Sequence, residues 1–169
     1  QVSKLLSYTN ATITPFEAFY LLVAIQIHDI MNIKGREEHE NRAIEIFAEL
    51  GIPGLIDSRI LKNIGFIASC HAGSFKRAEK VEKDKIGYLL TQYSGNDDFR
   101  IKPQYLAALL RLADEYADDT ERAMSYLVKI GQVKESSIIH QKHAESLYGV
   151  FIEKDTGTVT CEYHLQVED

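Results

Sequence analysis

Twelve residues, Phe16 to Ile27, carry so little polarity that they dictate most of what this chain can become. They read Phe-Glu-Ala-Phe-Tyr-Leu-Leu-Val-Ala-Ile-Gln-Ile, short of the roughly 18 apolar residues that mark a membrane span. Their start is signalled locally. Thr14-Pro15-Phe16-Glu17 is a capping box with proline at the first helical position: the Thr14 hydroxyl accepts from a first-turn N–H and Glu17 reaches back to the cap. A helix apolar on nearly every side is expected in the centre of a domain. This one runs directly into His28-Asp29, and charge at the end of so apolar a helix is costly unless it is paired or bound to metal.

The other elements assemble around that segment. A second helix is predicted from about Arg36 to Leu50, with Ala43, Ile46, Phe47 and Leu50 inward, Gly51 as its C-terminal glycine and Pro53 preventing continuation. A third runs from Asp57 or Ser58 to about His71, with Ile60, Leu61, Ile64, Ile67 and Ala68 inward. Lys76 to Lys85 reads as a solvated helix or loop, and residues 94–98 as a turn cluster. A fourth helix begins near Pro103 and a fifth covers Thr120 to Ile130. Then the period changes from helical to two. Thr158 to Val167 alternates polar and apolar, predicting a half-buried strand, with Tyr148 to Glu153 as its partner across an Asp155-Thr156-Gly157 turn. The expected fold class is mostly α, with a C-terminal β-hairpin.

Composition narrows the setting. The 169 residues are 45% apolar and 26% charged, which suits a globular chain of about one domain and argues against disorder. A net charge of −6 argues against broad nucleic-acid binding. No segment reads as a membrane span or a signal peptide, and Cys70 and Cys161 alone cannot build a disulfide framework, so a reducing, cytoplasmic setting is expected.

The chemistry lies where ionisable residues fall on inward faces. His39 precedes Ala43, Ile46 and Leu50 by 4, 7 and 11 residues, and His71 follows Ile67, Ile64 and Ile60 at the same spacings. Asp114 shares a face with Leu106, Leu110 and Ala117. Each of these residues taken singly reads as a hydrogen-bonded core group more readily than as a ligand. The coincidence of four elements points instead to a cluster of imidazole and carboxylate donors. That set suits manganese, iron, magnesium, cobalt or zinc.

His28-Asp29-Ile30, Glu38-His39-Glu40, Ser69-Cys70-His71 and Arg111-Leu112-Ala113-Asp114-Glu115, in that order, resemble the HD superfamily of metal-dependent phosphohydrolases. The segment Glu17 to Asp29 and the Arg-Leu-Ala-Asp-Glu segment look most like the HD domains that accompany Hsp90-like ATPase modules. The resemblance covers roughly Phe16 to Ala117 and implies an HD-type helical bundle; with the alternating C-terminal pattern, the expected organisation is an N-terminally truncated HD-like metal-binding domain over residues 1–145 and a β-hairpin extension over residues 146–169 that could lead into a further domain. It implies one or two divalent ions: His28, Asp29 and Asp114 on the first, His39 and His71 on the second, and Asp29 bridging as the catalytic carboxylate. The activity implied is hydrolysis of a phosphate ester, commonly of a nucleotide, by metal-activated water. Two positions depart from the pattern. No histidine precedes His28, so either the first ligand lies upstream of Gln1, the reading favoured here, or the first metal site is incomplete; and Met31 stands where glycine is usual.

Lys76, Arg77 and Arg111 are the candidate substrate-phosphate ligands. Against this, Lys76 and Arg77 also read as part of a solvated charged face, and Arg111 as a partner for Glu115 or Asp114. His140 and His143 have helical spacing without a third ligand and read as surface histidines, as does His164 on the polar face of the last strand. Cys70 reads as a buried thiol. Two further readings stand beside the hydrolase: a catalytically silent, nucleotide-binding regulatory module within a larger chain, and a purely structural role for the inward histidines. The sequence does not fix the oligomeric state, and a homodimer through the bundle or the hairpin would be unsurprising.

Overall fold

The computed structural model describes residues 1–9, 12–30, 45–51, 56–73, 75–77, 80–92, 101–117, 128, 130–133, 135–153 and 155–165. Its elements are α1 (Val2–Thr9), α2 (Pro15–Ile27), α3 (Ile46–Glu49), α4 (Ser58–Ser69), β1 (Phe75–Arg77), β2 (Lys80–Glu82), α5 (Lys85–Gln92), α6 (Pro103–Glu115), α7 (Glu135–Ser146), β3 (Leu147–Glu153) and β4 (Thr158–Tyr163). The chain is mostly helical. Among the described residues no helix is long and apolar enough to cross a membrane. Two compact units share the chain: a larger one of residues 11–112 with Val2, and a smaller one of residues 3–10 and 113–169 with Gln1.

In the larger unit α2 starts as its sequence dictates. The Glu17 amide donates to the Thr14 hydroxyl at 3.2 Å, and the Glu17 carboxylate accepts from the Thr14 amide at 2.8 Å. Glu17 also does something no local motif announces. It is buried, and its second oxygen accepts from the Lys102 amide at 3.0 Å, tying the start of α2 to the residue just before α6. The buried face of α2 is Glu17, Tyr20, Leu21, Ala24 and Ile27. It packs against α4, which buries Leu61, Ile64, Ile67 and Ala68, while α6 buries Leu106, Ala107, Leu109 and Leu110.

The expectation that α2 lies wholly inside is corrected here: Phe16, Phe19 and Leu22 are exposed, Leu22 to 62%. Hydrophobicity on all sides of a helix does not by itself supply elements to cover every side. Leu50, expected inward, is also exposed, because the helix stops at Glu49 and Leu50 and Gly51 turn away, Gly51 at φ +64°. The rest of the predicted second helix and the predicted Thr120–Ile130 helix lie mostly outside the described residues. Between α4 and α5, the stretch read as helix or loop contains an antiparallel hairpin, with Phe75 opposite Glu82, Lys76 opposite Val81 and Arg77 opposite Lys80. Its second strand is exposed throughout, so no buried face leaves an alternating signature in the sequence.

The smaller unit holds α1, the last turn of α6, α7 and the β3–β4 hairpin. α7 packs on β3, and Leu5, Ala113, Ala144 and Leu147 are buried. The hairpin has the predicted turn, with Gly157 at φ +65° and its amide donating to the Glu153 carbonyl at 2.9 Å. Its register pairs Ile152 with Val159 and Val150 with Cys161, with a bulge between Leu147 and Gly149. The predicted half-burial of the last strand is corrected: every residue of β4 is exposed.

Candidate functional site

α2 and α4 end in the same way, and that shared ending builds the site. The last carbonyls of a helix have no partner within it. At the end of α2 the His28 backbone amide still donates to the Ala24 carbonyl at 3.0 Å, while the ring Nδ1–H donates to the orphan Ile25 carbonyl at 2.8 Å. Just past α4, the His71 amide donates to Ala68 at 3.2 Å and its Nδ1–H donates to the same carbonyl at 2.7 Å. A carbonyl can only accept, so Nδ1 must carry the hydrogen in both rings. Each imidazole is thereby fixed in orientation, and when neutral it presents the Nε2 lone pair outward from its helix.

The two rings meet edge to face, with centroids 5.1 Å apart. Asp29 lies between their Nε2 atoms: Oδ2 is 3.6 Å from His28 Nε2 and Oδ1 is 3.5 Å from His71 Nε2. Both separations exceed a hydrogen bond. They match two ligands sharing one divalent ion, since bonds of about 2.1 Å opened to between 110° and 120° leave the donor atoms about 3.5 Å apart. The His71 and His28 side chains are 8% and 17% exposed and Asp29 is 42% exposed, so the cluster is walled on its imidazole side and open on its carboxylate side. Imidazole rings pinned through Nδ1 to carbonyls, with a carboxylate between the Nε2 atoms, have the chemistry of a divalent-metal donor set. Among the described residues, however, no three or more His, Cys, Asp or Glu side chains are grouped so that they could hold a metal ion.

His28, Asp29 and His71 are thus brought together. His39, with Met31, lies outside the described residues. Asp114 is half-buried in the last turn of α6, which belongs to the smaller unit. Lys76 and Arg77 fall in β1 rather than in a helix or loop. Arg111 is half-buried on α6 within the larger unit.

Cys70 is buried, as its sequence context predicts, and its thiol donates toward the Lys85 carbonyl at 3.8 Å. Burial pushes the thiol up to about 11, outweighing the Lys85 and Arg111 cations that favour the thiolate, so it is no nucleophile near neutral pH. His140 and His143 are exposed on α7, where His143 Nε2 meets the Tyr163 hydroxyl at 3.1 Å. His164 is exposed and stacks on Tyr148 with ring centroids 4.3 Å apart. The parts of the site that sequence reading missed are the Ile25 and Ala68 carbonyls. Backbone acceptors carry no residue signature, although a histidine at or just past a helix end is a hint that one is in reach.

A family model described as HD-CE matches residues 1–168. No curated protein and no solved structure matches the chain.

Proposed function

From the premise that this chain belongs to the HD-CE family, an HD-type domain family, we propose that it is a metal-dependent phosphohydrolase acting on a phosphate ester, with nucleotides as the substrate class. The observation that carries this reading is the convergence of two tautomer-fixed imidazoles on the two oxygens of Asp29. His28 and His71 would hold a divalent ion through Nε2, and Asp29 through its carboxylate. His39 and Asp114 are the further ligands that the HD resemblance implies. A divalent ion held there supplies a water that ionises near neutral pH and positive charge for the phosphate oxygens.

The protein's own part is orientation and access. The Ile25 and Ala68 carbonyls keep each ring from rotating and fix its tautomer, with the hydrogen on Nδ1. The exposure of Asp29 leaves the open side to water and substrate. The HD-type bundle, the association with Hsp90-like ATPase modules, the cytoplasmic setting and a homodimeric state belong to the same proposal.

The test is metal content by elemental analysis after reconstitution with manganese or iron, for the wild type beside Asp29→Ala, with hydrolysis of 4-nitrophenyl phosphate and a nucleotide panel. The expected result is one or two equivalents in the wild type, lost in the variant together with roughly 100-fold or more of the activity. No metal in either protein would leave a silent nucleotide-binding module as the better reading.

A further inference from the structure

Arg111 extends from α6 to the turn that carries His71, and the place its head occupies is unusual. A Cβ added to Gly73 would stand 2.5 Å from Arg111 Nη2, 3.1 Å from Cζ and 3.6 Å from Nη1. The guanidinium therefore fills the space that any other residue at position 73 would claim. Gly73 does not have the left-handed backbone that ordinarily calls for glycine, whereas Gly51, Gly131 and Gly157 do. Its visible consequence is room for the arginine. The charge itself is half-buried, and no ion pair joins Arg111 to a carboxylate among the described residues. Its field reaches the same turn from within, since the Cys70 thiol feels it.

A planar, permanently charged fork with several N–H donors, and no carboxylate partner among the described residues, is suited to two oxygens of a phosphate group. The fork lies against Gly73, which is two residues along the chain from His71, one of the rings that face Asp29. We propose that Arg111 binds the phosphate group of the ligand beside the His28–Asp29–His71 cluster and that Gly73 is the positioning residue that holds its guanidinium there. This rests on the reading of that cluster as a phosphate-ester site.

Gly73→Ala offers a sharp test, because the atoms it would strike are the far end of a flexible side chain. The guanidinium must move while the fold has little reason to. The full chain and its Gly73→Ala, Arg111→Gln and doubly substituted forms are compared by melting temperature, metal content, affinity for inorganic phosphate by calorimetry, and kcat and KM for 4-nitrophenyl phosphate. Gly73→Ala is expected to melt near the wild type and keep its metal. It should weaken phosphate binding and raise KM by about 10-fold, with kcat changed by less than about 3-fold. Arg111→Gln should lose at least as much, and the double variant no more than Arg111→Gln alone, because the glycine acts only through the arginine.

Wild-type phosphate affinity in both single variants, additive losses in the double variant, or no phosphate binding by the wild type would each overturn the proposal. The two readings separate cleanly. Arg111-dependent phosphate binding in a protein that neither holds metal nor hydrolyses esters keeps the phosphate seat and removes the hydrolase. Hydrolysis whose KM ignores both substitutions does the reverse.

Discussion

The α2–α4 pair of the larger unit and the β3–β4 hairpin of the smaller unit are both periodic segments with apolar faces, and they end up in opposite environments. α4 sets Ile64, Ile67 and Ala68 at zero exposure against a partner helix, and its end delivers His71 to Asp29. The hairpin forms with the expected turn, yet Phe151, Val159 and Tyr163 are all exposed. A period says which residues share a face; it does not say that another element will cover that face. α2 shows the converse. It has no polar stripe to mark an orientation, and what turns it is one buried carboxylate and a partner on one side, which leave Phe16, Phe19 and Leu22 outside.

The contrast can be broken most directly at the helix pair. Ile64 has no exposed surface, so Ile64→Ala removes buried methylenes and leaves a void, and should lower stability by about 3–4 kcal/mol in urea unfolding. A loss below about 1 kcal/mol would mean that the α2–α4 contact is not the core of its unit. Glu17→Ala follows at about 2–3 kcal/mol, because the Thr14 and Lys102 amides lose their acceptor at once. If that loss matched the roughly 1 kcal/mol of an ordinary helix cap, the bond to Lys102 would contribute nothing.

Glu17 also marks how much was legible beforehand. The capping box foretells one of its oxygens, because Thr14 and Glu17 are three residues apart and the geometry is local. The partner of the other oxygen is 85 residues away, and nothing in either segment names it. The site divides along the same line. His28, Asp29 and His71 could be picked out because ionisable residues at the ends of apolar segments are few. The carbonyls that fix their tautomers and the room that Gly73 leaves for Arg111 arise only when the turns are built. α5 and the β1–β2 hairpin escaped notice because the stretch before them is charged and short, without a run long enough to set a period.

The two cysteines compare the units chemically. Burial favours the neutral Cys70 thiol in the folded chain, so the fold holds that proton more tightly than the unfolded chain does. The associated stability is fully present below about pH 9 and declines as pH rises toward the folded value of about 11, by about 2–3 kcal/mol in all. Thiol labelling with a disulfide reagent at pH 8 should modify exposed Cys161 quickly and Cys70 only on unfolding. Two fast thiols would show that the larger unit opens at the very turn that leads to His71.

The smallest effect is the most discriminating for the hairpin. Val159→Thr exchanges a methyl for a hydroxyl of nearly the same size, and both residues favour strands. In a covered position the swap is not conservative, because the hydroxyl is taken out of water without a partner. Val159 is 40% exposed and lies opposite Ile152 on a strand whose every residue is open to solvent, so its hydroxyl stays hydrated. The expected change is within about 0.5 kcal/mol, as for other surface substitutions. A loss above about 1.5 kcal/mol would require that face to be buried in solution, and the alternation from Thr158 onward would then report a real interior. A negligible loss instead makes the alternating pattern a property of the strand alone, the counterpart of the α4 stripe that His71 extends into the site.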